Sequence, residues 1–434
     1  TILMKRLLLF LILPLVTMLS CRKQSGWEIE NPLPVDRPDE VIVFQRNEVA
    51  AKLAIPGNQL PVFAIDNQLM PSQADDLDGD GQWDEAVVMV NLPASGKAKL
   101  VLSFADPGEY PSFEKRTNLR LGILQPDGTF PEVDRYQAPS CRDTFQIIAQ
   151  AESVNWENDK FGFRVYFDCR NVKDLFGKLQ PRMIIDSLQY PGTPSYHDLA
   201  PWGMDVLHCG SSLGSGGIAL LYNDSLFRLG DTGSYEYIKI AEGPVRSLFE
   251  LRYGDWVAGD DTLEAVERIS ITPGKYWFQS EVTVHGLPAG AEIVTGIVTS
   301  KLTREPFAFQ NHGLTCIGTH DIQSLHHDEL GMAVILPENE TGKIARTTNI
   351  NFFERGFQLV KEKNFSNIIS ETYYVSQKAE PSLPVRHWFA AVWGLEQERW
   401  KSEEGFRNYL DGEMEKLAHP LLVKGVKGTL TQQQ

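Results

Sequence analysis

The first pattern along the chain is a series of short apolar runs that begins near Glu40. These runs are rich in β-branched and aromatic residues, and most are bounded by Gly, Pro, Asn or Asp, which is typical of strands. In the first part of the chain they occupy 41–44, 62–65, 86–90 and 100–104. Their spacing predicts a small N-terminal β-sandwich over residues 39–135.

The second half carries longer strand patterns and predicts a larger β unit over residues 136–425. Its clearest runs are 217–222, 235–240, 245–253, 265–272 and 276–285. Alternation along one of these strands places four residues on the same face: Arg246, Leu248, Glu250 and Arg252. Such a charged face is either exposed to solvent or lines a polar groove. No repeat of roughly 20–50 residues is visible, which disfavours a propeller or a solenoid.

One segment near the C-terminus gives a clear helical pattern. Ser402 is a good N-cap residue, and Glu403 and Glu404 after it suit the positive end of a helix. Apolar residues then recur at helical spacing: Phe406, Tyr409, Leu410, Met414 and Leu417. The sequence therefore predicts a mostly β protein with a C-terminal helix that packs on the outside of a sheet.

The N-terminus resembles a bacterial export signal. Met4 is followed by two basic residues and by an apolar run over 7–16, which is too short to span a bilayer of about 30 Å as a helix. Ser20 and Cys21 follow, as in signals whose cysteine becomes modified with lipid. We expect residues 1–20 to be removed and Cys21 to be the lipidation site. The polar, proline-rich residues 21–38 are expected to form a tether.

The residues after Cys21 bear on where the protein is located. Arg22, Lys23 and Gln24 follow the cysteine, whereas many surface-exported lipoproteins carry acidic residues there. We therefore expect a bacterial outer-membrane lipoprotein that faces the periplasm. Its contact with the membrane should be the lipid anchor only, because no later segment is an uninterrupted apolar run of about 18 residues.

Length, charge and cysteines narrow the class of protein. The chain has 434 residues and a formal net charge of −16, so it exceeds the usual size of one domain and does not favour nucleic acid as a partner. A local cluster of arginines could still hold an acidic sugar. Four cysteines after the anchor show no CxxC spacing, which disfavours zinc: Cys141, Cys169, Cys209 and Cys316. Disulfides and buried thiols are both compatible with them.

The sharpest local motif is the acidic loop 76–85, with the sequence DLDGDGQWDE. Carboxylates at alternate positions and glycines that allow a turn are features of a calcium-binding loop. The aspartates at its positions 1, 3, 5 and 9 are Asp76, Asp78, Asp80 and Asp84. Val87 stands where an EF-hand has its last glutamate. The loop either binds a structural Ca²⁺ with a ligand from elsewhere or is a hairpin whose aspartates cap turns.

A second cluster lies in a loop dense in glycine and proline, over residues 196–210. Its polar and aromatic members include Tyr196, His197, Asp198, Trp202, Asp205 and His208. Loops carry functional residues more often than frameworks do, and the face of Trp202 suits the CH face of a sugar ring as a binding platform. The structural alternative is a long loop whose histidine and tryptophan pack against each other.

Histidines and aspartates recur between His312 and Asp328, and His326 is the candidate there for contact with a substrate. The spacing from His320 to His326 fits no helical metal site, and His326 and His327 would point to opposite faces of a strand. Exposed histidines without a function are an equal alternative. The chain has no HExxH or CxxC motif.

Four motifs in this order make the chain similar to the DUF4861 family of Bacteroidota lipoproteins. They are DDLDGDGQWDE, HDLAPWGMDVLHCGSSLGSGG, GPVRSLFELRY and AAVWGLE, and the resemblance covers about residues 27–420. It implies a large antiparallel β-supersandwich, galactose-mutarotase-like, with a concave sheet as a sugar cleft. It also implies a lyase of polysaccharide utilisation, which dehydrates the non-reducing-end uronic acid of an oligosaccharide to its 4,5-unsaturated form.

The chemistry of such a dehydration suggests roles for residues of this chain. Loss of the C5 proton places charge on the carboxylate, so a cation must lie there, and Arg246 is the candidate. A base with a pKa near neutrality must take the proton, for which His197 or His208 is suited. Tyr196 or Asp205 is the acid or orienting partner. The reaction requires no cofactor, and its partner is an acidic oligosaccharide.

Two other functions remain open at this stage. The same architecture would suit a carbohydrate epimerase or mutarotase, which would use a histidine and a glutamate on the cleft sheet, with Glu250 as the candidate. The other is a glycan-binding lipoprotein without catalysis, in which the aromatic residues matter and the histidines do not.

Overall fold

The structure, a computed structural model, describes residues 25–140, 146–189, 192–348, 368–425 and 428–430. In these ranges the chain forms five antiparallel sheets and two α-helices, so the predicted mostly β class with a C-terminal helix is confirmed. The signal segment and Cys21 lie outside the described residues. Within the described ranges, no helix is long and apolar enough to cross a membrane.

Two sheets form an N-terminal unit. From edge to edge, sheet A contains β28 (Gly428–Leu430), β27 (Leu422–Gly425), β1 (Ser25–Glu30), β7 (Lys97–Ala105), β3 (Leu60–Ile65) and β4 (Gln68–Leu69). Sheet B contains β2 (Arg37–Gln45), β6 (Glu85–Leu92) and β5 (Ser72–Asp75), and the short helix α1 (Arg46–Ala50) follows β2. The core between them holds packed aromatic rings, with Phe44 tilted against Trp27 at 5.0 Å and stacked on Phe63 at 5.3 Å between centroids.

The remaining three sheets form the larger unit. Sheet C contains β13 (Gly203–Asp205), β12 (Lys173–Lys178), β11 (Gly162–Tyr166), β10 (Ser153–Asn158) and β8 (Thr117–Arg120). Sheet D contains β15 (Ser225–Arg228), β14 (Ser215–Tyr222), β20 (Glu292–Val298), β25 (Thr372–Lys378) and β24 (Thr341–Arg346). Sheet E contains β21 (Phe307–Asn311), β22 (Leu314–Ile322), β23 (Glu329–Pro337), β26 (Val385–Trp393), β19 (Trp277–His285), β18 (Asp261–Ile271), β17 (Ser247–Ala258), β16 (Ser234–Glu242) and β9 (Arg135–Ala138).

Sheet E is the middle layer of the molecule. Sheets C and D cover one of its faces, where the ring of Trp156 lies 5.3 Å from Phe249 and 5.2 Å from Phe278 between centroids. Sheet B covers part of the opposite face, and there Arg246 forms an ion pair with Asp75. A side chain of sheet E therefore points either into the main core or to the opposite face, part of which lies under the N-terminal unit.

The C-terminal helix α2 (Glu403–Ala418) follows the prediction closely. The hydroxyl oxygen of Ser402 accepts a hydrogen bond from the backbone N–H of Gly405 at 3.1 Å, as an N-cap does. Phe406, Leu410 and Met414 are buried in the main core. Close packing explains a glycine in the sheet beneath the helix, because a Cβ on Gly331 would lie 2.6 Å from the ring of Phe406.

The predicted boundaries need two corrections. Residues 25–30 are not part of a tether, because they form β1, which pairs with β7 and β27 and buries Trp27 and Ile29. The N-terminal unit also ends after β7 and not near residue 135, since β8 and β9 pair within sheets C and E. The prolines and charges around the short apolar stretch of β1 concealed it in the sequence.

The cysteines that the structure describes are free thiols. These are Cys169, Cys209 and Cys316, whereas Cys141 lies outside the described residues. Burial raises the pKa of the Cys209 and Cys316 thiols, so both stay protonated at neutral pH. Of the two alternatives left open for them, the structure has buried thiols at these two positions.

Candidate functional site

The predicted histidine loop crosses the outer edge of sheet C. Its residues 203–205 form β13, which pairs with β12. Gly203 has a φ of +132°, and a Cβ at this position would lie 1.8 Å from the carbonyl oxygen of Gly177. Only glycine therefore allows β13 to approach β12 this closely. The approach holds the buried Asp205 at the edge of the sheet.

Asp205 and His197 form a pair at the surface. Nδ1 of His197 lies 3.1 Å from Oδ2 of Asp205, and the side chain of His197 is 56% exposed. The hydrogen bond to Asp205 raises the pKa of His197 above its usual value, although partial burial opposes this. Because Asp205 occupies Nδ1, Nε2 is the ring nitrogen left to act on a ligand.

A buried arginine holds Asp205 from behind. The guanidinium of Arg164 donates to Asp205 at 2.6 Å and to Asp174 at 2.5 Å, and it also contacts the hydroxyl groups of Tyr166 and Tyr196 at 3.0 and 3.4 Å. Burial raises the pKa of Asp174 to about 6, although Arg164 opposes the shift. Arg164 is 1% exposed, so it is a support for the pair and not a cation that a substrate can reach.

His208 lies three residues after Asp205 in a different environment. Its Nδ1 is 3.4 Å from the hydroxyl of Ser300. Burial, and then the charge of Lys301, lower the pKa of His208, while the charge of Asp205 opposes them. Lys301 donates to the carbonyl oxygen of Ser324 at 3.3 Å and has no carboxylate partner among the described residues. His208 is therefore neutral at pH 7, beside an ammonium group whose charge no carboxylate of the described chain balances.

A third histidine lies on the neighbouring segment. The backbone N–H of Leu325 donates to the carbonyl oxygen of Val206 at 2.8 Å, which fixes this segment beside the one that carries Asp205 and His208. Nδ1 of His326 lies 2.8 Å from Asp328, whose other oxygen accepts from the indole of Trp393 at 2.6 Å. We call the group formed by His197, Asp205, His208, Lys301 and His326 the three-histidine site.

Two other predicted residues take supporting positions. Tyr196 is nearly buried, and its ring centroid lies 4.2 Å from that of His197. Its pKa is raised by burial, so it remains a neutral phenol. Trp202 is half-buried against Phe176, at 6.4 Å between ring centroids, in a small apolar cluster under the loop. Trp202 thus packs on a phenylalanine and His197 on a tyrosine, so the histidine and the tryptophan do not pack against each other as the structural alternative had it, and Trp202 keeps a partly exposed ring.

Arg246 and Glu250 do not lie near the histidines, and the prediction that Arg246 shares a hollow with them is wrong. Arg246 is paired with Asp75 and Glu85 of the N-terminal unit. Both oxygens of Glu250 are occupied by Arg252 and Arg268 on the same side of sheet E. The core between sheets C and E separates these residues from His197. Alternation along β17 defined the face correctly but could not say which layer covers it.

The structure of the acidic loop is compatible with both predictions for it, calcium binding and the capping of turns. Oxygen atoms of Asp76, Asp78 and Asp84 lie within 4.8 Å of one another, an arrangement that could hold a metal ion. Asp80 is outside this group and caps the backbone N–H of Gln82 at 2.7 Å. Asp76 also accepts from the N–H groups of Gly79 and Gly81, each at 2.8 Å. The turn-capping contacts are therefore real, and they leave three carboxylates in reach of one cation.

Sequence reasoning missed Lys301 and Arg164. Neither stands in a motif, because each becomes relevant only through contacts with residues distant in sequence. Residues 210–214 also match the GxSxG pattern of serine hydrolases. Ser212 in it is fully buried, and its hydroxyl donates to the carbonyl oxygen of Cys209 at 2.6 Å. This serine therefore stabilises a turn and is not placed as a nucleophile.

Comparison with known proteins gives one family and distant structural likenesses. Residues 29–423 match the family described as a domain of unknown function, DUF4861. An uncharacterized protein, P7, of Formosa agariphila is 26% identical over 304 residues, a match that spans 62% of this chain and 66% of that protein. An α-mannosidase from Enterococcus faecalis is similar over 95% of this chain at 9% identity, with a TM-score of 0.47, and this chain spans 46% of it. A glycosyl hydrolase family 38 protein from the same organism has a TM-score of 0.46 at 8% identity, over 95% of this chain and 48% of that one. Neither structural likeness is close enough to indicate an activity.

Proposed function

The chain belongs to the DUF4861 family, and we propose that it is a carbohydrate-active lyase that dehydrates the non-reducing-end uronic acid of an oligosaccharide. The product would carry a double bond between C4 and C5 of the terminal sugar. The three-histidine site is the proposed place of this reaction. The observation that carries the proposal is a geometric one: Asp205 bonds His197 at 3.1 Å, whereas His208, three residues further along the chain, is partly buried near Lys301, which has no carboxylate partner among the described residues.

The two histidines suit the two proton transfers that the reaction needs. His208 has a lowered pKa, so its neutral imidazole takes the C5 proton. His197 has a raised pKa, and its imidazolium gives a proton to the C4 hydroxyl, which leaves as water. The electron pair of the C5–H bond becomes the C4–C5 double bond. Solvent then restores the proton on His197 and removes the one on His208.

Lys301 takes the role that the sequence analysis gave to Arg246. The carbanion that forms at C5 shifts charge onto the carboxylate oxygens, and a cation next to them lowers the barrier. Burial lowers the pKa of Lys301, so pairing with a substrate carboxylate would also relieve an unfavourable desolvation of its ammonium group. Asp205 orients His197 in this scheme, and the partly exposed ring of Trp202 is the proposed sugar platform.

The test uses purified protein and a saturated oligosaccharide that ends in a uronic acid. Turnover should lower the product mass by one water and create the absorbance of a conjugated enol ether. His197→Gln and His208→Gln should each reduce kcat by about 10²–10⁴-fold, the range for loss of a general acid or base. His285→Gln is the matched control, because this exposed histidine at the end of β19 also bonds a serine hydroxyl, at 2.8 Å.

The outcomes separate the rival functions. Full activity in either active-site variant would refute the assignment of that histidine. A product of unchanged mass would indicate an epimerase or mutarotase, and binding without any product would indicate a glycan-binding protein. The structure offers little to the epimerase, since Glu250 is 5% exposed and held by two arginines, whereas such an enzyme needs a carboxyl group in contact with the sugar.

The export and calcium predictions remain proposals. We propose that Cys21 carries the lipid and that the protein faces the periplasm, which labelling with a radioactive fatty acid and protease treatment of whole cells would test.

We also propose a structural Ca²⁺ on Asp76, Asp78 and Asp84. Calcium should then raise the Tm of the protein, and Asp76→Asn should abolish that increase while Asp80→Asn should retain most of it.

A further inference from the structure

A cleft lies on the far side of sheet E from the three-histidine site, between this sheet and sheet B. It has a volume of about 270 Å³, close to the lower end of the range for small-ligand sites, ~300 Å³. Strands β17, β18, β19 and β26 form its floor, and β2 and α2 form its walls. No residue of the three-histidine site lines it.

Two rows of facing residues cross the floor from strand to strand. One row alternates in charge and consists of Glu250, Arg268, Glu281 and Arg386. The next row consists of Leu248, Ser270, Gln279 and Trp388. Directly opposite residues in antiparallel strands point to the same side of the sheet. Arginines, an amide and an indole are therefore presented together on one surface.

Hydrogen-bond donors in this cleft lack acceptors within the described chain. The indole Nε1 of Trp388, the Nε of Arg386 and the Nε of Arg37 are buried and unpartnered, and all three residues line the cleft. Trp388 is only 6% exposed, so bulk solvent does not compensate its N–H. A buried donor without an acceptor costs about 1–3 kcal/mol, which a ligand oxygen would recover.

Unused guanidinium nitrogens favour a negatively charged ligand in the cleft. Six arginine or lysine side chains and four glutamates line it, and Asp75 and Glu250 pair with two of these cations from outside the lining, so only the nitrogens that these pairs leave free can favour an anion. Arg268 uses Nε and one terminal nitrogen on Glu250, at 3.1 and 2.6 Å, which leaves its other terminal nitrogen for a ligand. One terminal nitrogen of Arg386 donates a hydrogen bond to Glu281 at 3.0 Å. Trp277 on β19, whose N–H donates to Glu413 at 2.9 Å, adds an oriented ring to the floor of the cleft.

We propose that this cleft is a second, non-catalytic binding site for a sugar residue that bears an oxyanion, such as a carboxylate or a sulfate, in an acidic oligosaccharide. Arg268 and Arg386 bind the oxyanion, Trp388 donates to a sugar oxygen, and Trp277 contacts the ring. The site goes beyond the proposed dehydratase, because it holds part of the polysaccharide while another face of the molecule acts on a chain end. It does not require the three-histidine site to be catalytic.

The chain offers a closely matched control for the test. Arg252 and Arg268 both bind Glu250 and are similarly exposed, at 49% and 45%, but only Arg268 lines the cleft. Calorimetric titrations should use an oligoglucuronate, a sulfated neutral oligosaccharide and an uncharged gluco-oligosaccharide. We expect Arg268→Gln to weaken binding of the charged probes at least tenfold and Arg252→Gln to change it less than twofold. Trp388→Phe, which keeps the ring and removes the N–H, should weaken binding about threefold or more.

The results of these binding titrations can be told apart from the results of the dehydration assay. The first two probes distinguish a carboxylate site from a sulfate site, and binding of either one supports the proposal. Equal losses in the two arginine variants, equally tight binding of the uncharged probe, or no binding at all would overturn it. The titration is repeated on the His197→Gln/His208→Gln double variant. An effect of Arg268→Gln that persists there supports the cleft even if no dehydration is found.

Discussion

At the scale of single residues, the surroundings of the two histidines His197 and His208 differ, so that one suits the role of an acid and the other that of a base. His197 gains a carboxylate partner at the surface, whereas His208 loses water and faces the ammonium group of Lys301. The pKa of the first therefore rises and that of the second falls, and the difference comes from neighbours contributed by β13 and by the segment that follows β20. Such a pair can serve as acid and base within the same pH range.

The pH dependence of the reaction follows from these directions. Activity requires neutral His208 and protonated His197, so kcat/KM should rise with pH through the pKa of His208, below 6.5, and fall through the pKa of His197, above 6.5. A bell-shaped profile whose two limbs lie on either side of pH 6.5 is the expected result. His197→Gln should remove the alkaline limb from its residual activity. An unchanged alkaline limb in that variant would assign the acid to another group.

A buried histidine in the main core should control stability in acid. His387 is fully buried, neither ring nitrogen has a partner in the described chain, and burial, followed by the charge of Lys173, lowers its pKa to about 3. Its folded pKa lies below the unfolded value of about 6.5, so the unfolded state binds the proton more readily and stability falls as the pH drops below 6.5.

The change His387→Gln removes this titration. Between pH 7 and pH 4 the variant should lose about 3 kcal/mol less of its free energy of unfolding than the wild type does. Urea unfolding of both proteins at the two pH values measures the difference. Because the comparison is between two pH values, a constant packing cost of the substitution cancels. Equal losses in both proteins would show that His387 is not the cause of the lower stability in acid.

At the scale of elements, the sequence predicted where most strands lie, but it did not predict which strands pair or which layer covers each face of a sheet. The run 265–272 became β18, whose buried and more exposed residues alternate as on a half-buried sheet, and the continuous apolar run 86–90 became β6, which is buried on both faces. Strand β1 was missed, since its partners β7 and β27 are far away in sequence. The histidine loop was found from its composition. Arg164 and Lys301 were not, because their relevance arises from tertiary contacts that no local pattern records.

The predicted cap of α2 is testable by itself. The hydroxyl of Ser402 satisfies one of the free N–H groups at the start of this helix, so Ser402→Ala should reduce the free energy of unfolding by about 1 kcal/mol. Ser402→Asp should preserve it, since aspartate caps equally well and its charge suits the helix dipole. Denaturant unfolding of the three proteins gives the result. Equal losses in both variants would show that the hydroxyl acts otherwise than as a cap.

At the scale of the whole molecule, buried and partly buried ion pairs join the N-terminal unit to the larger one. Lys275 lies 2.7 Å from Glu40, and Arg116, which Asp159 of its own unit holds at 2.7 Å, lies 2.6 Å from Asp39. Since the pairs Lys275–Glu40 and Arg116–Asp39 span the two units, separating the units would expose charges that are matched only in the assembled fold. We therefore expect both units to unfold in one transition, which calorimetry and fluorescence would report at the same temperature.

Arg246 is the sharpest test of this coupling. It is nearly buried, binds Asp75 and Glu85, and its backbone N–H donates to Gln73 at 2.9 Å. Arg246→Met would leave two carboxylates in a poorly hydrated interface without their cation, so the free energy of unfolding should fall by about 3–5 kcal/mol.

Two further variants separate this cause from a loss of packing. Arg135→Met removes an exposed arginine that pairs with Glu236 on the same sheet, and it should leave stability unchanged within error. Adding Asp75→Asn and Glu85→Gln to Arg246→Met should restore part of the loss, because the stranded charges are then gone. If the triple variant is no more stable than Arg246→Met alone, the arginine acts through its hydrocarbon contacts. The ion pairs would then not be what holds the N-terminal unit over the cleft.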